Sequence, residues 1–283
     1  MPSLTRTVAR VPEEALDRAF TGRPATREEA SASGQRAELM SEEVALKLLR
    51  REVEAQRERR RVLRRRRGYE RDGDEEACVE DLGAADLLAS LSPSQRLGLA
   101  KAEAAVAWIA SRLEEADGGK VVVFAHHLVV LNALHHMLNA RFGCRPPVHR
   151  LFQGAVDEHT RATYLHEFKQ GRCRVMLMSL QAGAVGVDLT AAAEALFVQL
   201  PADVAQLKQA EARIHRKGQR RACQAHFLVS GAPEDGETLA WERLRAQGNS
   251  VQALHDGTRD AVDRDALPVH RMETFSAAAS SSS

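Results

Sequence analysis

Aromatic residues, cysteines and long apolar runs are all scarce in this chain of 283 residues. Aromatics make up 4% of the sequence against 44% hydrophobic residues overall, which predicts a core that is mainly aliphatic. The four cysteines, Cys78, Cys144, Cys173 and Cys223, form no Cys-x-x-Cys pair, so a zinc ribbon or disulfide framework is not expected and a reducing compartment is favoured. No apolar run approaches the length of a membrane span, so no membrane partner is predicted.

The chain also lacks an excess of charge of one sign, since its formal net charge is +1. Any affinity for nucleic acid must therefore come from local patches. One patch runs from Arg59 to Arg67, where seven of nine residues are arginine, within a stretch of helical periodicity that begins near Met40. Two interpretations stay open. The first is a solvated, salt-bridged helix face, which is favoured by Glu52, Glu54 and Glu58 just upstream. The second is a segment that contacts phosphate or directs localisation.

Apolar runs alternate with helical periodicity through the middle of the chain. A helix is predicted over residues 92–116, and helices separate the strands that follow it. The strand cores are predicted near residues 121–125, 148–152, 174–179, 195–199 and 223–229. This order predicts an α/β fold, with a parallel sheet flanked by helices on both faces. Residues 1–91 are expected to form a helical, charged region with loops, 92–248 the α/β lobe, and 249–283 a polar, disordered tail.

The spacing of Gln209, Arg213 and Arg216 is the sharpest local pattern, because these residues lie four and three positions apart. On one α-helix such positions share a face, so the two guanidinium groups would be presented together. Guanidinium groups suit phosphate oxygens, since they combine a fixed charge with two parallel donors. A solvated charged helix face would have the same spacing, so the neighbouring segments decide between the two interpretations.

Three segments carry a family resemblance. Residues 179–190 read SLQAGAVGVDLT, residues 209–219 read QAEARIHRKGQ, and residues 120–127 read KVVVFAHH. In order, they resemble motifs V, VI and IV of superfamily two helicases, specifically of the Swi/Snf-type DNA translocases of the annealing-helicase subgroup. The resemblance covers roughly residues 95–245 and implies the second RecA-like lobe, the helicase carboxyl-terminal lobe, of a two-lobe motor.

The resemblance also implies roles for single residues. It assigns catalytic roles to Gln209, Arg213 and Arg216, and binding of the nucleotide to Gly186 and Asp188. Those that it assigns to the DNA are Gly154, Arg161, Ser179 and Gly183. Arg213 and Arg216 would be arginine-finger groups that stabilise charge on a γ-phosphate. Asp188 would accept a hydrogen bond from a ribose hydroxyl. An ion pair on a helix surface is the alternative for Arg161.

Two further features bear on the site. In the resembled family a lysine near the start of a helix precedes the first strand of the second lobe, and Lys101 occupies that place. An ordinary surface lysine would fit the sequence equally well. The paired histidines at 126–127 and 135–136 have no carboxylate or cysteine at ligand spacing beside them, so no metal site is predicted.

Two motifs of an ATP-hydrolysing helicase are missing from the sequence: the G-x-x-x-x-G-K-[ST] loop and a D-E-x-H run. The first cradles the phosphates and binds magnesium, and the second completes the metal site. ATP with Mg²⁺ is therefore expected to be bound mainly by a first RecA-like lobe, supplied upstream in cis or by another chain in trans. The chain would then be a truncated or split motor.

Three interpretations remain. The first is the second motor lobe of an ATP-dependent translocase or annealing helicase, which acts on double-stranded or forked DNA in repair, fork remodelling or chromatin remodelling. The second is a lobe that binds nucleic acid or a partner without catalysis. The third is an unrelated methyl- or nucleotide-binding α/β domain, which the order of the motifs disfavours. A nuclear location is expected in a eukaryote and a cytoplasmic one otherwise.

Overall fold

A computed structural model describes most of the chain. The described residues are 2–11, 42–66, 79–115, 119–143, 148–152, 156–171, 173–181, 186–231, 236–256 and 269–274. The strands are β1 (Leu4–Val11), β2 (Val121–Ala125), β3 (His149–Phe152), β4 (Val175–Ser179), β5 (Glu194–Phe197), β6 (Cys223–Ser230) and β7 (Val269–Thr274). The α-helices are α1 (Glu42–Arg66), α2 (Ala84–Ser90), α3 (Pro93–Ala100), α4 (Ala102–Glu114), α5 (Leu128–Phe142), α6 (Glu158–Gln170), α7 (Val204–Ile214) and α8 (Glu237–Asp256).

The described strands form one seven-stranded sheet in the order β3-β4-β2-β5-β6-β1-β7. Every neighbouring pair is parallel. Parallel neighbours need crossover connections, and α5, α6 and α7 lie in the connections between successive central strands. The predicted α/β fold is confirmed, and β2 to β6 lie within a residue or two of the predicted strand cores.

Helices cover both faces of the central strands. Strand β2, VVVFA, is buried along its whole length, as a parallel strand between two helical layers should be. Its Val122 and Phe124 belong to the core cluster that includes residues of α6, α7 and α8. Val121 and Val123 belong to the opposite cluster, with residues of α4 and α5. Because successive side chains of a strand point to opposite faces of the sheet, this one apolar run contributes to two cores.

The prediction of a mainly aliphatic core is confirmed, since valine, leucine, isoleucine, alanine and methionine make up most of both large clusters. The α7 and α8 face also contains a row of aromatic rings. Phe124 stacks on Phe197 with ring centroids 5.1 Å apart, and Phe197 stacks on Phe227 at 4.7 Å. Trp241 of α8 continues the row, 4.7 Å from Phe227. Composition counts aromatic residues without locating them, and this fold gathers several of its few rings on three adjacent strands. Such pairs add stability beyond the area that they bury.

The sequence pattern does not predict β1 and β7, the last two strands at one end of the sheet. Strand β1 pairs with β6 along its full length, from Leu4 beside Cys223 to Val11 beside Ser230. Strand β7 pairs with β1. The sheet thus includes residues on both sides of the predicted lobe, 92–248, whose boundaries as a folding unit stay a prediction. The expected disorder after residue 249 is wrong for the end of α8 and for β7, and the rest of that tail lies outside the described residues.

Candidate functional site at two edges of the sheet

The carboxyl edge of the sheet holds the described residues that were assigned to DNA. Ser179 is the last residue of β4, and β4 pairs with β3. Arg161 lies in the first turn of α6, and its guanidinium carbon is 5.8 Å from the ring centroid of Phe152, the last residue of β3. Gly154 and Gly183 lie outside the described residues. The structure therefore brings Arg161 and Ser179 to the same edge, at the ends of two neighbouring strands.

The helix that carries motif VI ends earlier than its spacing implies. Helix α7 stops at Ile214, and His215 leaves helical geometry with φ −96° and ψ 81°. Arg213 is therefore helical, whereas Arg216 lies in the turn that follows, so the prediction of one shared helix face is wrong for Arg216. Gly218, at φ 107°, adopts the left-handed conformation that glycine tolerates best and completes the turn towards β6.

Gln209 is also separated from Arg216. It is exposed in the middle of α7 and lines a shallow hollow with Gln181, just beyond the end of β4, and with Asp203 and Gln206 of the helix start. Asp203 caps α7, because its side chain accepts a hydrogen bond from the backbone N–H of Gln206 at 2.8 Å. Gln209 thus faces the motif V segment near the carboxyl edge. Its catalytic role stays a prediction.

Arg213 lies at the amino edge of the sheet, not at the carboxyl edge where the two arginines were expected. Its carbonyl oxygen accepts from the backbone N–H of Leu189 at 3.1 Å, which confirms the expected proximity to the loop of Gly186 and Asp188. The reason for the different edge is topological. A helix that joins parallel strands runs back across the sheet, so α7 begins near the end of β5 and ends near the start of β6.

One buried amide joins the segments at this edge. Gln219 Nε2 donates to three backbone carbonyl oxygens, those of Thr190, Ala192 and Ile214, at distances from 2.7 to 3.2 Å. Its Oε1 accepts from the two backbone N–H groups that follow it in the chain, at 2.9 and 3.0 Å. Gln219 therefore fixes the loop before β5, the end of α7 and the turn before β6 together. The sequence signal for it was its place at the end of motif VI.

The carboxylate of Asp188 accepts hydrogen bonds from Lys169 and Thr190. Its Oδ2 accepts from Lys169 Nζ at 2.7 Å, and its Oδ1 accepts from the backbone N–H and hydroxyl of Thr190 at 3.1 and 2.8 Å. These donors, above all Lys169, lower the pKa of Asp188 to about 2, so it is ionised at neutral pH. A ribose hydroxyl would have to share this carboxylate. Nearby Gly186 is exposed, and an added Cβ there would meet nothing within 4 Å.

Comparison with known proteins relates this fold to a helicase domain. Residues 101–218 match the family model of the helicase conserved C-terminal domain. Human "DNA annealing helicase and endonuclease ZRANB3" is 30% identical over 172 residues, which cover 60% of this chain and 15% of that protein. The "SWI/SNF-related matrix-associated actin-dependent regulator of chromatin subfamily A-like protein 1" of Drosophila melanogaster is 29% identical over 150 residues, which cover 51% of this chain and 18% of that protein. Residues 101–218 therefore match a helicase conserved C-terminal domain, and we call the α/β body around them the helicase lobe.

A solved structure supports the fold of this helicase lobe. The C-terminal part of the Fun30 ATPase domain superposes over 86% of this chain and 90% of its own, with a TM-score of 0.50 and 14% sequence identity. The helicase lobe spans less than a fifth of the length of the two curated relatives.

Contacts from residues at and just before β1 hold the carboxyl end of α7, which carries Arg213. Arg6 of β1 donates from Nε and Nη2 to the two carboxylate oxygens of Glu211, at 2.7 and 2.8 Å, and the Glu211 side chain is 4% exposed. His215 Nε2 lies 2.7 Å from the carbonyl oxygen of Pro2, close enough to donate to it. The bidentate ion pair between Arg6 and Glu211 fixes the orientation of both side chains in addition to pairing their charges. The sequence alone does not reveal either contact, because their partners are more than 200 positions apart.

Lys101 is not a surface lysine. Its side chain is fully buried, and Nζ donates to Glu237 Oε1 at 2.5 Å and to the carbonyl oxygen of Leu228 at 2.9 Å. Glu237 Oε2 accepts from the backbone N–H of Ser230 at 2.7 Å. Lys101 also lies where the helix predicted over 92–116 divides into α3 and α4. The pair therefore joins the start of α4 to the end of β6 and to the first turn of α8.

Gln199 organises the carboxyl edge of the helicase lobe beyond β2 and β5. Its buried side chain accepts through Oε1 from the backbone N–H groups of His126 and His127, both at 3.0 Å. Its Nε2 donates to the carbonyl oxygen of Ser94 at 2.8 Å, in the first turn of α3. The loop after β2 is thus held through its backbone to α3.

His149, the first residue of β3, contacts His135 of α5 through a ring nitrogen. His149 Nε2 and His135 Nδ1 are 2.8 Å apart, and burial lowers the pKa of His149 to about 4. Within the described ranges, no group of three or more histidine, cysteine or acidic side chains could hold a metal ion. No helix in those ranges is long and apolar enough to cross a membrane.

Proposed function

We propose that this helicase lobe is the second motor lobe of an ATP-dependent translocase of double-stranded or forked DNA. The observation that carries the proposal is the division of the motif residues between two edges of one sheet. Arg161 and Ser179 lie at the carboxyl edge, and Arg213 and Arg216 lie at or beside the amino edge. The motif V segment begins at the first edge and reaches the second at Leu189. A motor needs such a connection between the surface that holds DNA and the surface that senses the nucleotide.

The groups at the amino edge suit the terminal phosphate of a nucleoside triphosphate. Arg216 is exposed, Arg213 is half-buried, and Gly186 leaves open space for a close approach. Bound ATP with Mg²⁺ would supply the phosphoanhydride bond whose hydrolysis drives movement, and a first RecA-like lobe would hold most of it. The two guanidinium groups would stabilise charge on the terminal phosphate. Asp188 is bonded to Lys169 and Thr190, so this carboxylate orients the loop of Gly186.

The carboxyl edge suits a phosphodiester backbone. Arg161 brings a fixed charge to the end of β3, and Ser179 brings a hydroxyl to the end of β4. Neither group would read a base edge in this position, so binding should be independent of sequence. The similar proteins named above are an annealing helicase and a chromatin regulator. By this likeness we infer a role in DNA repair, fork remodelling or chromatin remodelling, and a nuclear location if the source is eukaryotic.

Arg161→Gln should weaken binding of the chain to duplex DNA by a similar factor for unrelated sequences. It should also reduce the slope of log Kobs against log salt by about 1, because one phosphate contact is lost. Fluorescence anisotropy with two duplexes of unrelated sequence, titrated at several salt concentrations, measures both effects. The matched control is Arg243→Gln, which removes the same charge from an exposed position on α8. Wild-type binding that is insensitive to salt would contradict a phosphate-dominated mode.

A further inference from the structure

Residues 59–66 of the arginine run lie on α1, which extends beyond the body of the helicase lobe, and Arg67 lies outside the described residues. The first half of α1 is held by a small core in which Leu49 and Val53 pack with Leu87 and Leu91. From Glu58 to Leu63 every side chain is exposed, although the helix continues to Arg66. Residues 57–66 add about 15 Å of helix at 1.5 Å per residue. The helix therefore presents arginines on a rigid element instead of on a loop.

Glu52, one of the three acidic residues that precede this run, faces away from it. Glu52 Oε1 accepts from Gln56 Nε2 at 3.1 Å and from Gln95 Nε2 at 3.0 Å, so this carboxylate faces the body of the lobe. Val62 and Leu63 are 39% and 54% exposed, so the extension is not buried against another described element. The interpretation of the run as a salt-bridged helix face therefore loses the support of Glu52 and rests on Glu54 and Glu58, which are exposed.

A chain of hydrogen bonds locates the base of the extension at the carboxyl edge. Gln56 of α1 donates to Gln95 of α3 at 3.1 Å. The neighbouring Ser94 accepts from Gln199, and Gln199 holds the loop that follows β2. The last residue of β2, Ala125, is in register with Ser179 of β4. The extension thus begins at the edge that also holds Arg161.

We propose that the extension of α1, defined as residues 57–66, is a second binding site for the phosphodiester backbone of double-stranded DNA. Charge complementarity favours this ligand, because a duplex carries one negative charge per about 1.7 Å of axis and seven of the ten residues of the extension are arginine. The proposal rests on the proposed function, since one duplex would lie on both the extension and the carboxyl edge. Its contacts would be electrostatic and independent of base sequence.

The test is a triple substitution, Arg59→Gln, Arg60→Gln and Arg61→Gln, in the full chain. With a labelled duplex, we expect binding at low salt to weaken by about an order of magnitude or more, and the salt slope to fall by about 2.7, at 0.9 per lost phosphate contact. The control triple, Arg51→Gln, Arg243→Gln and Arg245→Gln, removes equal charge from other exposed positions and should leave the slope nearly unchanged. The triple lysine variant at 59, 60 and 61 should retain the slope, because it keeps the charge.

Several results would overturn the proposal. A Gln triple that keeps the wild-type affinity and slope, or that behaves like the control triple, excludes the extension as a DNA site. So does a wild-type chain that binds no duplex, or a Gln triple that loses only its binding to vesicles of phosphatidylserine and phosphatidylcholine. Arg161→Gln separates this proposal from the proposed function. If Arg161→Gln weakens binding and the Gln triple does not, only the extension fails; the reverse result removes the carboxyl edge and retains the extension.

Discussion

Arg216→Ala in a two-lobe enzyme that contains this helicase lobe should lower DNA-stimulated ATP turnover by about 10³-fold or more, the scale of an arginine finger. Arg216 is exposed in the turn after α7, and the turn is fixed on both sides by the hydrogen bonds of Gln219. A positioned guanidinium stabilises the charge that develops in the transition state. Nucleotide affinity should therefore change much less than turnover.

Steady-state kinetics with saturating duplex would separate these two effects, because kcat and KM are measured together. Arg220→Ala is a suitable control, since Arg220 is exposed in the next part of the same turn but lies outside the R-x-x-R pair. It should stay within a few-fold of the parent enzyme. Near-normal turnover after Arg216→Ala would remove the finger assignment from Arg216 and leave Arg213 as the remaining candidate.

Lys101→Ala should have the largest effect on stability, a loss of about 3–5 kcal/mol in the free energy of unfolding. The substitution removes the cation that faces Glu237 and leaves that carboxylate, itself 9% exposed, without its charged partner. It also leaves the carbonyl oxygen of Leu228 without this donor and opens a cavity at the start of α4. Urea unfolding followed by circular dichroism measures the change.

The double variant Lys101→Met with Glu237→Gln tests whether the loss comes from leaving the buried Glu237 carboxylate without its charged partner. It removes both charges and keeps most of the volume, so it should recover much of the stability that Lys101→Ala loses. Lys208→Ala, at an exposed position of α7, should change stability by less than about 0.5 kcal/mol. If Lys101→Ala behaved like Lys208→Ala, the buried ion pair would not be holding α4 to β6 and α8.

The central strands could be predicted from the sequence because each is a short apolar run buried on both faces, such as VMLMS in β4. Strand β1, LTRTVARV, mixes arginine and threonine with apolar residues, and its two neighbours in the sheet are β6 and β7, which are distant in sequence. Its Arg6 forms an ion pair with the buried side chain of Glu211, 205 positions away. No local pattern identifies a strand whose partners and charge compensation are both remote.

The motifs could likewise be found from spacing, but their positions on the sheet could not. The R-x-x-R spacing predicts two arginines on one helix face, whereas α7 ends at Ile214 and His215 already leaves helical geometry, before Arg216. Which edge holds Arg213 depends on the path of α7 between β5 and β6, a property of topology. Lys101 shows the same limit, because its burial depends on residues more than 120 positions away.

ATP turnover by a first RecA-like lobe, measured with and without this chain and with and without duplex DNA, tests the central claim most directly. The proposed function predicts that rapid turnover requires all three components and that adding the Arg216→Ala chain in place of the wild type abolishes the gain. A chain that binds duplex in a salt-sensitive way, yet never raises the turnover of any first lobe joined to it or added in trans, would contradict the motor assignment and support a lobe that binds DNA without catalysis.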